Sequence, residues 1–218
     1  MPKVYFTFKE SKMKNIYKNK IFPIVLDHVM QFDDFTAARQ KLLSQVSGHV
    51  VEIGFGTGLN LPFYGGGVLS LTSVDPNESL NQLAKQRISS VKFPVTHRQL
   101  SAEHLPFADN SIDVVVSTWT LCSIPDVKMA LAEIKRVLKP NGSFYFVEHG
   151  LSPKPQLAKW QNRLTPVQKI IGDGCHLNRD MKQLIEQSGL TIVQCEQFDA
   201  RKLPSLMSWM TLGQAKKL

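Results

Sequence analysis

The sequence has little cysteine and no long apolar run. Its three cysteines, Cys122, Cys175 and Cys195, are odd in number and lack the paired spacing of a zinc-ligand motif. A disulfide framework is therefore not expected, and free thiols point to a reducing compartment, with the cytoplasm the expected one. No stretch approaches the ~18 consecutive apolar residues that cross a bilayer. The opening residues, MPKVYFTFKESKMKNIYKNK, lack an apolar centre and a small-residue cleavage site, so they do not read as a secretory signal. There is no internal repeat and no low-complexity tract. There is also no dense Arg/Lys helix with interleaved aromatics, so nucleic acid is not an expected partner.

What is present suits one soluble domain: 218 residues, 43% hydrophobic and 20% charged. The net charge of +8 is uneven. Residues 1–20 carry six lysines against Glu10, residues 21–150 carry ten basic and twelve acidic side chains, and residues 151–218 carry ten against five. The basic flanks are either a solvated surface or the approach to a site for an anionic or membrane-surface substrate.

Strand-like and helix-like segments alternate. NKIFPIVLDHVMQFDDFTAARQKLLSQV reads as two helices broken near Pro23 and Asp33-Asp34, and HVVEIG as a short buried strand followed by a glycine turn and a short helix limited by Pro62. VLSLTSVDP, VTHRQL, IDVVVST and SFYFVEHG read as further strands, with NESLNQLAKQRISS and DVKMALAEIKRVLKPNG as the helices between them. A helical region over 155–188, broken at Gly172–Gly174, precedes two closing strands. The order predicts a mostly parallel sheet with helices on both faces. Ligands of such sheets sit at the carboxyl ends of the strands, where strand order reverses. That gathers Gly54–Asn60, Asp75, Ser101–Glu103, Thr118–Ser123 and Glu148–Gly150 around one crevice.

The glycine turn is the sharpest signal. In VVEIGFGTGLNL the third glycine falls at Gly58, and Leu59 stands where a nicotinamide fingerprint, G-x-G-x-x-G, needs glycine. The turn lets the backbone approach a ligand, but it is not arranged for a pyrophosphate on a helix N-terminus. Asp75 ends the second strand, where a carboxylate can accept hydrogen bonds from both ribose hydroxyls, and Pro76 fixes the chain's exit.

VVEIGFGTGLNL, VDPN, SAEHLPFADNSIDVVVS and EIKRVLKPNGSFYFVEHG occur in this order. Together they resemble the successive motifs of class I S-adenosylmethionine-dependent methyltransferases of the type 11 branch. The resemblance implies a Rossmann-like α/β fold with seven strands, one of the last pair antiparallel, and an N-terminal helical lid over residues 1–47 ahead of a binding domain over 48–218. It implies S-adenosylmethionine as cofactor, with Gly54, Gly56 and Gly58 along its methionine part, Glu52 beneath the turn and Asp75 on the ribose. Ser101 and Ala102 would flank the adenine, with Ser101 standing where the family commonly has Asp or Asn. Thr118 and Trp119 would lie near the sulfonium, Tyr17 near the methionine end, and Phe55, Asn60 and Pro76 complete the expected contacts.

STWTLCSIPD, FYFVEHG and GDGCHLNRDMKQLIEQSGL are further similar to the membrane-associated thiol S-methyltransferases, which tend to carry Asn where this chain has His176. An apolar N-terminal anchor as long as theirs is not expected from the opening residues. Phospholipid N-methyltransferases and quinone-biosynthesis C-methyltransferases share the core motifs, so a small-molecule or lipid-like acceptor is expected, a thiol or phospholipid amine first. A nicotinamide oxidoreductase and a non-catalytic cofactor-binding module are the other readings.

Methyl transfer from a sulfonium is an in-line displacement, so the protein chiefly aligns the reactants and excludes water. A base is needed only where the acceptor must lose a proton. His149 and His176 are the candidates, and Glu148 is expected either to meet an acceptor amine or to orient His149. Cys122 and Cys175 are expected to line the pocket. No metal is expected. Phe22, Ile24, Val25, Leu26 and Val29 form an apolar face that packs on the core, covers the substrate or touches an anionic membrane. Oligomeric state is open.

Overall fold

The protein is described by a computed structural model covering residues 22–76 and 82–218, with residues 22–24 described by their backbone alone. Tyr17 and most of the expected lid's basic stretch lie outside the described residues. Two helices, α1 (Phe22–Val29) and α2 (Asp33–Leu43), precede the sheet. The strands are β1 (Gly48–Ile53), β2 (Val68–Asp75), β3 (Val95–Gln99), β4 (Ile112–Thr118), β5 (Leu138–His149), β6 (Thr191–Asp199) and β7 (Trp209–Lys216). Between them run α3 (Gln82–Ser89), α4 (Val127–Val137), α5 (Pro155–Ile171) and α6 (Met181–Gln187).

The seven strands form one sheet in the order β3-β2-β1-β4-β5-β7-β6. Pairing is parallel except for β7, which runs antiparallel to both β5 and β6. The expected seven-stranded, mostly parallel sheet with helices on both faces is therefore the observed fold. Strand order reverses between β1 and β4, which places the crevice beyond Ile53 and Thr118.

Strand periodicity sends alternate side chains to opposite faces, and here both faces are covered. Val115, Phe144 and Phe146 pack with Leu131, Ile134 and Val137 of α4 on one face. Val114, Val116, Tyr145 and Val147 pack with Leu42 and Leu43 of α2 on the other. Helix α4 follows from its sequence: Asp126 caps it by accepting from Met129 N at 3.0 Å, and Val127, Ala130, Leu131, Ile134 and Val137 form its buried stripe. Burying each such large aliphatic side chain is worth about 1.5–3 kcal/mol, which makes this face a main source of stability.

Three expectations change in detail. Pro23 lies within α1, and the break falls at residues 30–32, ahead of Asp33. Pro62 does not limit a helix but sits inside a single 3-10 turn, Leu61–Phe63, whose tighter geometry suits so short a link. Strand β5 starts earlier than expected: Leu138 pairs with Ile112 before a register shift, and Asn141, at φ 63°, carries the chain through the turn to Ser143. The helical region over 155–188 does divide at Gly172–Gly174, into α5 and α6.

Candidate active site at the β1–β4 crevice

The glycine turn leaves β1 with Gly54, Gly56 and Gly58 at φ 75°, 54° and 77°. These left-handed conformations favour residues without a Cβ. Gly54 is also sterically required, because a Cβ there would lie 2.0 Å from Thr120 Oγ1. At Gly56 a Cβ would meet nothing within 4 Å, so the backbone faces open space on that side. Gly56 N donates to Asp75 Oδ2 at 3.1 Å, which fixes the carboxylate at the tip of β2 against the turn. Asp75 is buried and Pro76 exposed.

Beneath the turn lies a buried polar network. Asn60 Nδ2 donates to Glu52 Oε1 at 3.0 Å and to Thr118 Oγ1 at 2.9 Å, and Tyr64 OH donates to Glu52 Oε2 at 2.6 Å. Arg39 Nε donates to Asn60 Oδ1 at 2.9 Å. Burial pushes the Glu52 carboxyl up to about 7, against the hydrogen bonds of Tyr64 and Asn60 and the charge of Arg39. Burial likewise lowers Arg39 to about 10, although the charges of Glu52 and Asp27 oppose it. Asn60 thus joins β1, β4 and α2, while Phe55 is buried and would touch a Cβ at Gly58.

Helix α1 reaches the same turn. Asp27 accepts from Arg87 Nη1 at 2.7 Å and from Thr57 Oγ1, and Arg87 Nη1 also donates to Thr57 O at 2.8 Å. Sequence reading missed Asp27, Arg39 and Arg87; the one signal was a lone carboxylate inside the apolar run FPIVLDHV. Val29 packs beside Phe35, but Val25 and Leu26 are 55% and 42% exposed, so the apolar face of α1 is only partly taken into the core.

At the tip of β4, Trp119 adopts φ 51°, a sparsely populated conformation for a bulky residue and one that clusters at functional sites. Its indole meets Phe35 edge-on at 4.9 Å between centroids, lies 4.7 Å from the Arg39 guanidinium and donates to Met210 Sδ at 3.3 Å. Thr118 is buried and accepts from Asn60. Ser101 Oγ donates to Glu103 Oε2 at 2.7 Å, and Ala102 is buried beside it.

The three expected catalytic groups are placed differently. Glu148 is fully buried and accepts from Ser117 Oγ and from the backbone N–H groups of Thr120 and Leu121, each at 2.9 Å, and from Cys122 N at 3.3 Å. Both its oxygens hold the loop after β4. It makes no hydrogen bond to the His149 ring, although its charge acts on that ring. His149 is buried with Nε2 at 2.9 Å from Cys175 Sγ, while its Nδ1 has no hydrogen-bond partner. His176 is half-buried, and both its backbone N–H and its Nδ1 address Cys122 O, at 2.8 and 3.1 Å.

Cys122 and Cys175 are both buried neighbours of His149. Their hydrogen bond and burial push the Cys122 thiol up, while the same bond, with that of His149, holds Cys175 well below its ordinary value against the cost of burial. Burial lowers His149, but its bond to Cys175 and the charges of Cys175 and Glu148 outweigh this and raise it.

The crevice fits S-adenosylmethionine. The open backbone at Gly56, the Asp75 carboxylate fixed against the turn and the Glu52 carboxyl beneath it are compatible with an adenosyl and amino-acid ligand. A methyltransferase domain matches residues 51–146. Rat thiol S-methyltransferase TMT1B is 37% identical over 75% of this chain and 66% of its own length, and human TMT1B is 32% identical over 80% and 74%. Geranyl diphosphate methyltransferase, solved in complex with S-adenosylmethionine, superposes with a TM-score of 0.65 at 14% identity, over 84% of this chain and 85% of that one. The chain belongs to the methyltransferase domain family and is an S-adenosylmethionine-dependent methyltransferase.

Proposed function

We propose that the protein transfers a methyl group to the sulfur of a small apolar thiol. The observation that carries this reading is the commitment of Glu148. An amine acceptor is held by a free carboxylate or an open aromatic face. Here the one carboxylate at the tip of β5 already accepts from Ser117, Thr120, Leu121 and Cys122, and Arg39 already lies against the Trp119 ring. What remains at the tip of β4 is Trp119 with Phe35 and Met210, a soft apolar wall suited to a neutral sulfur compound. Similarity to thiol S-methyltransferases over three quarters of the chain supports the same reading.

When bound, S-adenosylmethionine supplies an activated methyl group on sulfur. We assign Gly54, Gly56 and Gly58 to its methionine part, Glu52 to its amino group by way of the turn, Asp75 to its ribose, and Ser101 and Ala102 to its adenine. Phe55, Asn60 and Thr118 hold the turn and the β4 tip in register for that contact. Trp119 orients the acceptor and keeps water from it, and alignment of this kind is the protein's chief catalytic contribution.

Apolar thiols partition into lipid, and α5 offers a surface to collect them. Trp160, Val167, Ile170 and Ile171 are all exposed along one side of the helix, with Lys159 and Arg163 beside them. We assign this stripe to peripheral contact with an anionic membrane. No described helix is long and apolar enough to cross one.

Incubation with labelled S-adenosylmethionine and separate alkyl thiol, phosphatidylethanolamine and quinol acceptors tests the reading. Mass spectrometry should find the methyl group on sulfur; methylated phosphatidylethanolamine or quinol with unreacted thiol would reverse it. Flotation with anionic vesicles should recover the protein, and Trp160→Ser with Ile170→Ser should release it.

A further inference from the structure

Behind the β4 tip, three side chains from separate elements meet. Cys122 follows β4, His149 ends β5, and Cys175 lies between α5 and α6. All three are buried, and one ligand atom from each lies within 4.8 Å of the others; among the described residues no second group of this kind occurs. The sequence gives no hint of it, because no two of these residues stand at a zinc-motif spacing.

The cluster is poorly explained as packing. Buried polar groups are normally matched with partners, and apolar side chains of similar size would fill the space without that demand. Here the two sulfurs and the imidazole are partnered chiefly with one another, with Gln168 also beside Cys175. Beyond its contact with Cys175, the Cys122 sulfur lies 3.7 Å from Trp119 O and 3.6 Å from Ser123 Oγ. His149 Nδ1, with its residue only 5% exposed, has no partner.

The backbone around the cluster, in contrast, is firmly built. Glu148 accepts from the N–H groups of Thr120, Leu121 and Cys122. Arg179 donates to Leu121 O, to Ile124 O at 2.7 Å and to Pro125 O at 3.2 Å. Cys175 N donates to Gly172 O at 3.1 Å and His176 N to Cys122 O at 2.8 Å. Gly174, at φ 90°, lets the second loop approach the first, since a Cβ there would stand 2.9 Å from Ser123 O. Two loops are thus held against each other so that their sulfurs converge on one imidazole.

Two thiolates and a neutral imidazole are a soft-to-borderline donor set. It suits zinc and excludes magnesium and calcium, which take oxygen ligands. Charge also balances: two thiolates cancel a divalent ion, so the bound site adds no net charge to the interior, and the two thiol protons leave to solvent. We propose that Cys122, Cys175 and His149 bind one zinc ion, with a fourth position left to water or a thiol. The ion ties the α5–α6 loop to the tip of β4. The proposal is independent of which acceptor the enzyme methylates.

The full chain, purified without chelator and then titrated with zinc, tests it by elemental analysis. About one zinc per chain is expected, as for a site with three protein ligands. Cobalt in its place should give a thiolate-to-metal charge-transfer band. Cys122→Ser and Cys175→Ser should each weaken zinc binding by at least about tenfold, and Cys195→Ser, at an exposed thiol, should leave it unchanged. Should the first two variants fail to fold, a mercurial titration of the unaltered chain replaces them, and zinc should leave as the two buried thiols react. Retention of no zinc after titration, a cobalt spectrum without the charge-transfer band, or equal loss from Cys195→Ser would overturn the proposal. So would a Cys122–Cys175 disulfide in freshly prepared, zinc-free protein.

Discussion

The two sides of the crevice are built from different chemistry. Under the glycine turn, oxygen and nitrogen groups of opposite charge answer one another: Glu52 and Asp27 against Arg39 and Arg87, with Asn60, Thr57 and Tyr64 as links. Behind the tips of β4 and β5, a fully buried carboxylate is committed to backbone N–H groups, while sulfur and imidazole are left largely to each other. On the first side the polar groups named are hydrogen-bonded to one another. The second has firm backbone order but leaves the buried His149 Nδ1 without a partner. A polar network that is fully matched stabilises; one that is partly matched is a reason to look for a ligand.

Substitutions can sharpen this contrast. The largest effect is expected at Gly54, the point where the turn meets the β4 tip. Gly54→Ala must place a methyl group 2.0 Å from Thr120 Oγ1 on a backbone at φ 75°. A loss of stability of at least about 3 kcal/mol should follow, read by denaturant unfolding, together with loss of cofactor binding. A stable variant with normal binding would mean that the two sides are not in contact there.

Asp75→Ala should weaken S-adenosylmethionine binding by about 1–3 kcal/mol, the range for losing hydrogen bonds to a charged group. Calorimetry reads it, and unchanged affinity would remove Asp75 from the cofactor site. Because Asp75 also accepts from Gly56 N, Asp75→Asn should retain the turn and recover part of the loss.

Glu52 gives the turn side a pH signature. Its folded value of about 7 lies above the ordinary 4.5, so the folded state holds a proton that the unfolded chain has released. That contribution is fully present below the ordinary value and is lost as pH rises through about 7. Thermal unfolding of the unaltered chain should therefore fall by about 1–3 kcal/mol relative to Glu52→Gln between about pH 5 and about pH 8. Parallel curves for the two proteins would place the proton elsewhere.

The smallest effect is expected at His176. Its side chain addresses the Cys122 carbonyl, and an amide can donate the same bond. His176→Asn should keep turnover within about threefold, a loss below about 1 kcal/mol. A collapse of kcat at unchanged KM would instead make His176 the group that takes the acceptor's proton.

Much of this arrangement was legible along the chain. IDVVVST spans β4 without adjustment because a strand buried on both faces carries a near-continuous apolar run, here Val114–Val116, and that pattern is local. Helix α4 was equally plain, since its cap, stripe and terminating residues all lie within one segment. The turn Gly54–Gly58 and the position of Asp75 could be read because glycine and a strand-end carboxylate carry their geometry with them. Pro62 and the start of β5 misled because their outcome depends on neighbours, a tight turn in one case and a partner strand in the other.

The sequence by itself determined the alternating order of elements, the parallel sheet that this order imposes, and a glycine turn whose spacing departs from the dinucleotide fingerprint, all set within a few residues. Only the tertiary structure decided that Glu148 serves the loop after β4, that Asp27 and Arg87 brace the glycine turn, and that Cys122, His149 and Cys175 share one buried space. Those pairings join residues far apart in sequence, and no local pattern records a contact made by folding the chain back on itself.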